Sequence, residues 1–308
     1  MNRHLRSSGK AGLAKTGIRK TSVFAAALLA ATALPGCSRT VSSADLIGFG
    51  TAAAALQRQT DANFASADRI ARAAEVDRFV RSGAVGLTEK PFPPAVPPDV
   101  AAAWRSALFY LERYGLLLGT LTDPQQGAQT TDAFKQLGVE LNGGVAGAGI
   151  SPGVAAAFSS LAGALVQEDA RRKALGILRR NDPHVRGLLT AMAEAIGATD
   201  GEGLRGTVAA AWTTSTGELQ RTYAVAAAQH DEPRQRSIVN DYLSALGRRQ
   251  AQLNDLAALR HSFLGLADAH SAAADGSKRP VGELLDLIEG RLDEVRDLAK
   301  DIEEEDAR

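Results

Sequence analysis

The stretch Asp231–Ala273, DEPRQRSIVNDYLSALGRRQAQLNDLAALRHSFLGLADAHSAA, decides the fold class. Asp231 offers a capping side chain, and Pro233 stands in the first turn, where its missing N–H costs nothing. From there Ile238, Tyr242, Leu246, Leu253, Leu256, Phe263 and Leu266 lie close to one stripe opposite a charged face. Recurrence every three to four residues is the period of a helix, so 233–273 is predicted as a single long one.

The same entrance grammar appears at Ser151-Pro152 and at Asp182-Pro183. With it the implied helices are 152–180, 183–197, 203–230, 233–273 and 281–305. The last carries a stripe of Leu284, Ile288, Leu292, Val295, Leu298 and Ile302. Upstream, Ser42 and Asp45 form a capping-box start for a helix to about Ser82, with Leu46, Phe49, Ala53, Leu56, Ala67 and Ile70 on its narrow face. Residues 83–98, GAVGLTEKPFPPAVPP, hold five prolines and read as an extended connector. Helix resumes with Asp99 as N-cap and runs to about Leu121, aligning Trp104, Leu108, Leu111 and Leu118. Pro124 and Gly127 mark a turn, a shorter helix covers Thr131 to Leu141, and Asn142 to Gly149 is a glycine-rich break.

Composition agrees with this reading. Hydrophobic residues make up 45% of the 308 positions but aromatics only 5%, in long stretches of Ala with Leu, Glu and Arg. Those residues favour helices over sheets. Short joints make sequential helices antiparallel, so the expected fold is an all-α, elongated up-and-down antiparallel helical bundle of about seven or eight helices. The acidic end, DIEEEDAR, opposes the helix dipole, and 306–308 is expected to fray.

The zero formal charge conceals an asymmetry. Residues 1–36 carry Arg3, Arg6, Lys10, Lys15, Arg19 and Lys20 and no acid; without those six, 29 bases face 35 acids, a net of −6 for 37–308. A mildly acidic body gains no counterion-release affinity for phosphates, so no nucleic-acid partner is expected. The basic start belongs to targeting: after it, Thr21 to Leu34 is an apolar run of signal-peptide length, short of the roughly 20 residues a membrane span needs.

Directly behind that run stands Leu34-Pro35-Gly36-Cys37. An aliphatic residue three before a cysteine and a small residue just before it resemble the lipobox of bacterial lipoproteins, although Pro35 departs from the commonest pattern at its position. The resemblance covers residues 1–38 alone. It implies a cleaved signal peptide over 1–36, diacylglycerol in thioether linkage on Cys37, acylation of the new amino terminus, a lipidated tether over 37–41 and a helical domain over 42–305. Ser38, where the inner-membrane retention signal has aspartate, implies an outer-membrane address facing the periplasm. Cys37 is also the only cysteine, so the fold rests on packing without a disulfide.

No catalytic, metal or cofactor residues are assigned. His184, His230, His261 and His270 have no His or Glu partner at the spacing of a helical zinc motif, and no Glu-x-x-His pair occurs. There is no Gly-x-Ser-x-Gly elbow; Ser262 beside His261 reads as helix surface, and the glycine-rich 142–149 lacks the Lys-Ser/Thr of a phosphate loop. Glu168 with Arg172 and Asp169 with Lys173 read as ordinary i,i+4 pairs. One feature stands out: from Leu141 through Gln167 there are 27 positions without a charge. A central helix surrounded by the bundle accounts for it best, with bilayer insertion as the alternative.

The expected function is therefore a non-catalytic binding or assembly module, held to the membrane through lipid at Cys37 and contacting an envelope protein. Two alternatives stand beside it: a membrane-active protein inserting 141–167, and a small-molecule-binding or hydrolytic bundle in which Trp104, Tyr110, Tyr114 or Trp212 lines a cleft.

Overall fold

A computed structural model of the chain describes residues 42–87, 92–121, 127–145, 152–166 and 174–276, with positions 286 and 290. Among them are seven helices and no strand: α1 (Ser43–Arg81), α2 (Pro98–Thr120), α3 (Gly127–Val145), α4 (Pro152–Val166), α5 (Ala174–Ile196), α6 (Gly203–Ala228) and α7 (Glu232–Asp275). The fold is all-α, and the helices pack as a bundle.

Two long helices form its spine. α1 has 39 residues and α7 has 44, which at 1.5 Å per residue makes them about 58 and 66 Å long. They run antiparallel, since Phe49 meets His270 while Gln252 reaches back to Ser66. α2 returns along the first half of α1, as shown by Asp61 with Arg105, Gly50 against Gly115 and Ser43 beside Gly119. α5 lies antiparallel to the second half of α7, with Arg179 at Ala274, Asp182 at His270 and Arg186 at Asp268. α6 lies antiparallel to its first half, with Trp212 at Gln252 and Gln220 at Tyr242. Consequently α5 and α6 follow one another along α7, and their joint does not reverse the chain. Gly197 (φ +97°) and Gly203 (φ +54°) make that joint; a Cβ on Gly203 would stand 2.4 Å from the Ala195 carbonyl oxygen.

Several expected boundaries hold for the expected reason. Ser42 accepts from the Asp45 N–H while Asp45 accepts from the Ser42 N–H, the reciprocal capping box. Asp231 caps α7 by accepting from Arg234 N–H. α4 begins at Pro152. Elsewhere the chain differs. The N-cap of α2 is Pro97, and Asp99 sits inside the first turn, because Pro98 at N1 already supplies helical φ. α3 extends at both ends, from Gly127 to Val145, carrying helix into the expected glycine break. Pro183 lies inside α5 rather than at a helix entrance: the Asp182 carboxylate is engaged by α7, and the proline ring faces solvent.

Nor is the charge-free segment a helix surrounded on every side. α4 packs on α3 and α5 through Val154, Leu161, Ala162 and Leu165, while Pro152, Gly153, Ala156, Ser159, Ser160 and Gly163 face solvent. A peripheral helix can dispense with charges because its outward residues are small and weakly apolar. No described helix is long and apolar enough to cross a membrane. The expected helix 281–305, the tail 306–308, the pairs of Glu168 and Asp169, and Cys37 with its leader lie outside the described residues, apart from helical positions Asp286 and Gly290.

One continuous apolar core runs from Leu46 to Ala274. Its tightest point is glycine on glycine: a Cβ on Gly115 would come within 2.7 Å of Gly50 N, and one on Gly50 within 2.8 Å of the Glu112 carbonyl oxygen. Gly119, one turn beyond Gly115, receives Ile47, so α1 and α2 approach as closely as their backbones allow. Toward the opposite end of α1, which we call the tip, α6 and α7 are the helices packed beside it among the described residues. Phe92 of the connector meets Phe79 there with ring centroids 5.4 Å apart, and Ala226 and Ile238, on the α6–α7 hairpin, are buried but stand apart from the main core.

Candidate functional site

Two internal features and one surface have the makings of a site. The first is a cleft where the α5–α6 joint passes under the proline-rich connector. Phe64 of α1 and Trp104 of α2 meet edge to face, ring centroids 5.3 Å apart, a favoured geometry for aromatic pairs. Ile196 and Leu204, held at either end of the glycine joint, and Val96 and Val100 complete an apolar lining around about 230 Å³. The connector forms one wall and is fastened by Asp68, whose Oδ1 accepts from the N–H groups of Ala95 at 2.6 Å and Val96 at 3.3 Å. Trp104, one of four aromatics that the alternative reading offered as a cleft lining, borders this cleft while its side chain is almost wholly buried.

The second is a buried polar chain linking α2, α5 and α7. Asp182 can only accept, so the His270 Nδ1 at 2.8 Å donates to it. In the neutral ring Nε2 then accepts from the Tyr114 hydroxyl at 3.1 Å. Ser271 donates to the same Asp182 oxygen at 2.9 Å and accepts from Arg186 at 3.0 Å. Partial burial works against the Asp182 charge, but the bonds from His270 and Ser271, with the Arg186 guanidinium nearby, hold its carboxyl below the usual value. Phe49 meets the edges of both rings, His270 at 5.4 Å and Tyr114 at 6.3 Å. An Asp–His pair with a hydroxyl at the far nitrogen is the arrangement of a general base. Yet His270 and Tyr114 are each 1% exposed, and a base must reach the proton it abstracts. As it stands the chain fastens three helices.

The other residues marked by the sequence do not assemble. His261 Nδ1 and the Ser262 hydroxyl each bond to their own helix, at Ala257 O and Ala258 O. His184 faces the Ser160 hydroxyl at 2.7 Å on the surface, with no carboxylate hydrogen-bonded to its ring among the described residues. His230 lies in the turn between α6 and α7 at φ +55°. No three His, Cys, Asp or Glu side chains gather into a metal site among the described residues. Tyr110 stands half-buried beside Phe109, its hydroxyl pKa pushed up by burial and by Glu140. Trp212 donates to Gln252 at 2.6 Å, and Gln252 donates to Ser66 at 3.0 Å. Local spacing does not reveal the role of His270, because its partners are 88 and 156 residues away in sequence. The usable signal was position: His270 stands four residues beyond Leu266 on the buried stripe of α7, where a polar ring needs a partner.

The surface feature is the tip. Val76 and Val80 of α1, Tyr223 and Val225 of α6, and Val239 and Leu243 of α7 are exposed, Val80 by 71% and Leu243 by 59%. Tyr223, Val239 and Asn240 share an open groove of about 490 Å³ with Glu232 and Arg236.

No protein-family model matches this chain, and neither a curated protein nor a solved structure matches it.

Proposed function

We propose that this chain is a lipid-anchored envelope lipoprotein that works without catalysis, as a binding or assembly module whose tip engages an envelope protein. The lipobox-like Leu34-Pro35-Gly36-Cys37 supports the tether. The single observation carrying the docking role is the exposure of large apolar side chains on all three helices of the tip. Six of the twelve large apolar side chains exposed among the described residues stand there, the other six being spread over α1, α2, α3 and the start of the connector; several together, unlike scattered single residues, are what a contact surface requires. The membrane-active alternative draws less support. α4 has 15 residues, about 22 Å of helix against some 30 Å of hydrocarbon.

The test has two independent arms. Mass spectrometry of the mature amino terminus is expected to find Cys37 acylated; an unmodified thiol there removes the tether. In cells, a photo-crosslinking residue at Leu243 is expected to give one discrete protein adduct, and the same residue at Ala62, on the outer side of α1, none. Equal adducts from both positions, or none from Leu243, would remove the docking role while leaving the tether intact.

A further inference from the structure

The cleft beneath the connector is not used by a tip-docking function. Among the described residues its lining includes no charged side chain, and Thr207 supplies the one side-chain hydroxyl, which donates to Gly203 O at 3.2 Å. A charged ligand would lose its hydration there and find nothing to replace it. Size narrows the occupant further. A dry apolar cavity of about 150 Å³ accepts benzene, with its six carbons, so about 230 Å³ suits a molecule of about nine non-hydrogen atoms. That is below the usual range for drug-sized ligands, about 300–1,000 Å³, and far too small for a peptide helix. Access exists on one side, where Thr207 and Pro97 are both exposed. One wall of that mouth is the connector itself, pinned by Asp68, not a packed helix.

We propose that this cleft is a binding site for a small uncharged apolar molecule, seated against Phe64 and Trp104 and entering beside Thr207. The ligand packs against the apolar lining of Phe64, Val96, Val100, Trp104, Ile196 and Leu204 and displaces water from it, the source of its affinity.

Two probes of matched size test it on the full chain, held in one detergent so that partition into micelles is common to every sample. Propylbenzene has nine carbons and no charge; benzoate has nine non-hydrogen atoms and a charge. Propylbenzene is expected to raise the unfolding midpoint and benzoate to leave it unchanged, because a ligand that binds only the folded state stabilises it. Thr207→Phe is expected to weaken propylbenzene binding at least ~10-fold by filling the mouth, whereas Thr207→Val, which removes the hydroxyl but not the space, keeps it. No midpoint change with propylbenzene, an equal change with benzoate, or an undiminished change in Thr207→Phe would each overturn the proposal. Should Thr207→Phe fail to fold, emission from the unaltered chain decides. Bromobenzene is expected to quench part of the tryptophan signal saturably, with propylbenzene restoring it. Quenching that rises linearly without competition overturns the site.

Discussion

The half of the bundle in which α1, α2, α3, α4, α5 and α7 each pack on the next around a shared interior differs from the tip, where among the described residues the end of α1 is accompanied by α6, α7 and Phe92 of the connector. In the broad half enough helices surround the spine for Tyr114, His270 and Phe134 to be almost wholly enclosed, and enclosure forces polar groups to find partners. At the tip Val76, Val80, Val225, Val239 and Leu243 stay exposed, and the polar contacts are surface ion pairs such as Arg81 with Glu218 and Arg221 with Glu218. Pairs of that sort contribute little. Coverage changes along a single helix: the buried residues of α1 run from Leu46 to Ala74 and stop short of Val76 and Val80, which stay exposed.

That contrast can be broken or sharpened by substitution. The largest effect is expected for His270→Ala in the broad half, which empties a buried site and strips partners from Tyr114 and Asp182. It should cost about 4 kcal/mol in a denaturant titration. It should also change the acid limb. Asp182 is held below its ordinary value, so its stabilisation is present above about pH 4 and is lost as pH falls through the folded value. The variant should show less of that loss. Unchanged stability would mean the chain from Tyr114 to Asp182 holds nothing together.

Next come two glycines with opposite signs. Gly115→Ala drives a Cβ to 2.7 Å from the Gly50 backbone and should cost about 3 kcal/mol. Gly217→Ala, in the tip half of α6, meets only the far end of Arg221 at 3.8 Å and should gain up to about 1 kcal/mol from helix propensity. Equal signs in thermal melts would deny that the two halves are packed differently.

A smaller effect belongs to Asp255, between them on α7. Burial pushes its carboxyl up to about 6, and its Oδ1 lacks a partner among the described residues. The folded value lies above the unfolded 3.8, so the native state holds the proton more tightly. Stability therefore falls as pH rises from about 4 to 6. Asp255→Asn should recover about 1 kcal/mol at pH 7, discounted for the partial exposure of the group, and almost nothing below pH 4. A gain independent of pH would assign the effect to something other than the charge. Smallest of all, Leu243→Ser at the tip should move stability by less than about 0.5 kcal/mol, yet lower the yield of the partner adduct captured from a neighbouring tip position such as Val239.

How far the sequence could be read follows the same boundary. The stripe of α7 was legible because Leu253, Leu256, Phe263 and Leu266 recur at helical spacing, and all four are buried. Tyr242 and Leu246 on that stripe are only partly buried, whereas Ile238, one turn closer to the start of α7, is buried. Pro183 misled because a proline after aspartate marks a helix entrance locally, while the Asp182 side chain serves a distant histidine. Of the cleft, Trp104 was legible as an aromatic on a helix face; Ile196, Leu204 and the Asp68 fastening were not, since they come together only when α5, α6 and the connector converge.

By itself the sequence determined the helical class, the positions of α1, α2, α6 and α7, and the capping of α1 and α7, because these depend on contacts within a few residues of chain. It also supplied the motif at Cys37 on which the proposed address rests. It took the packed bundle to show that α5 and α6 line up along α7, that Gly50 and Gly115 touch, and that His270 lies between Tyr114 and Asp182. Those outcomes turn on which helices become neighbours, and neighbours far apart in the chain are chosen by the summed packing of every face at once.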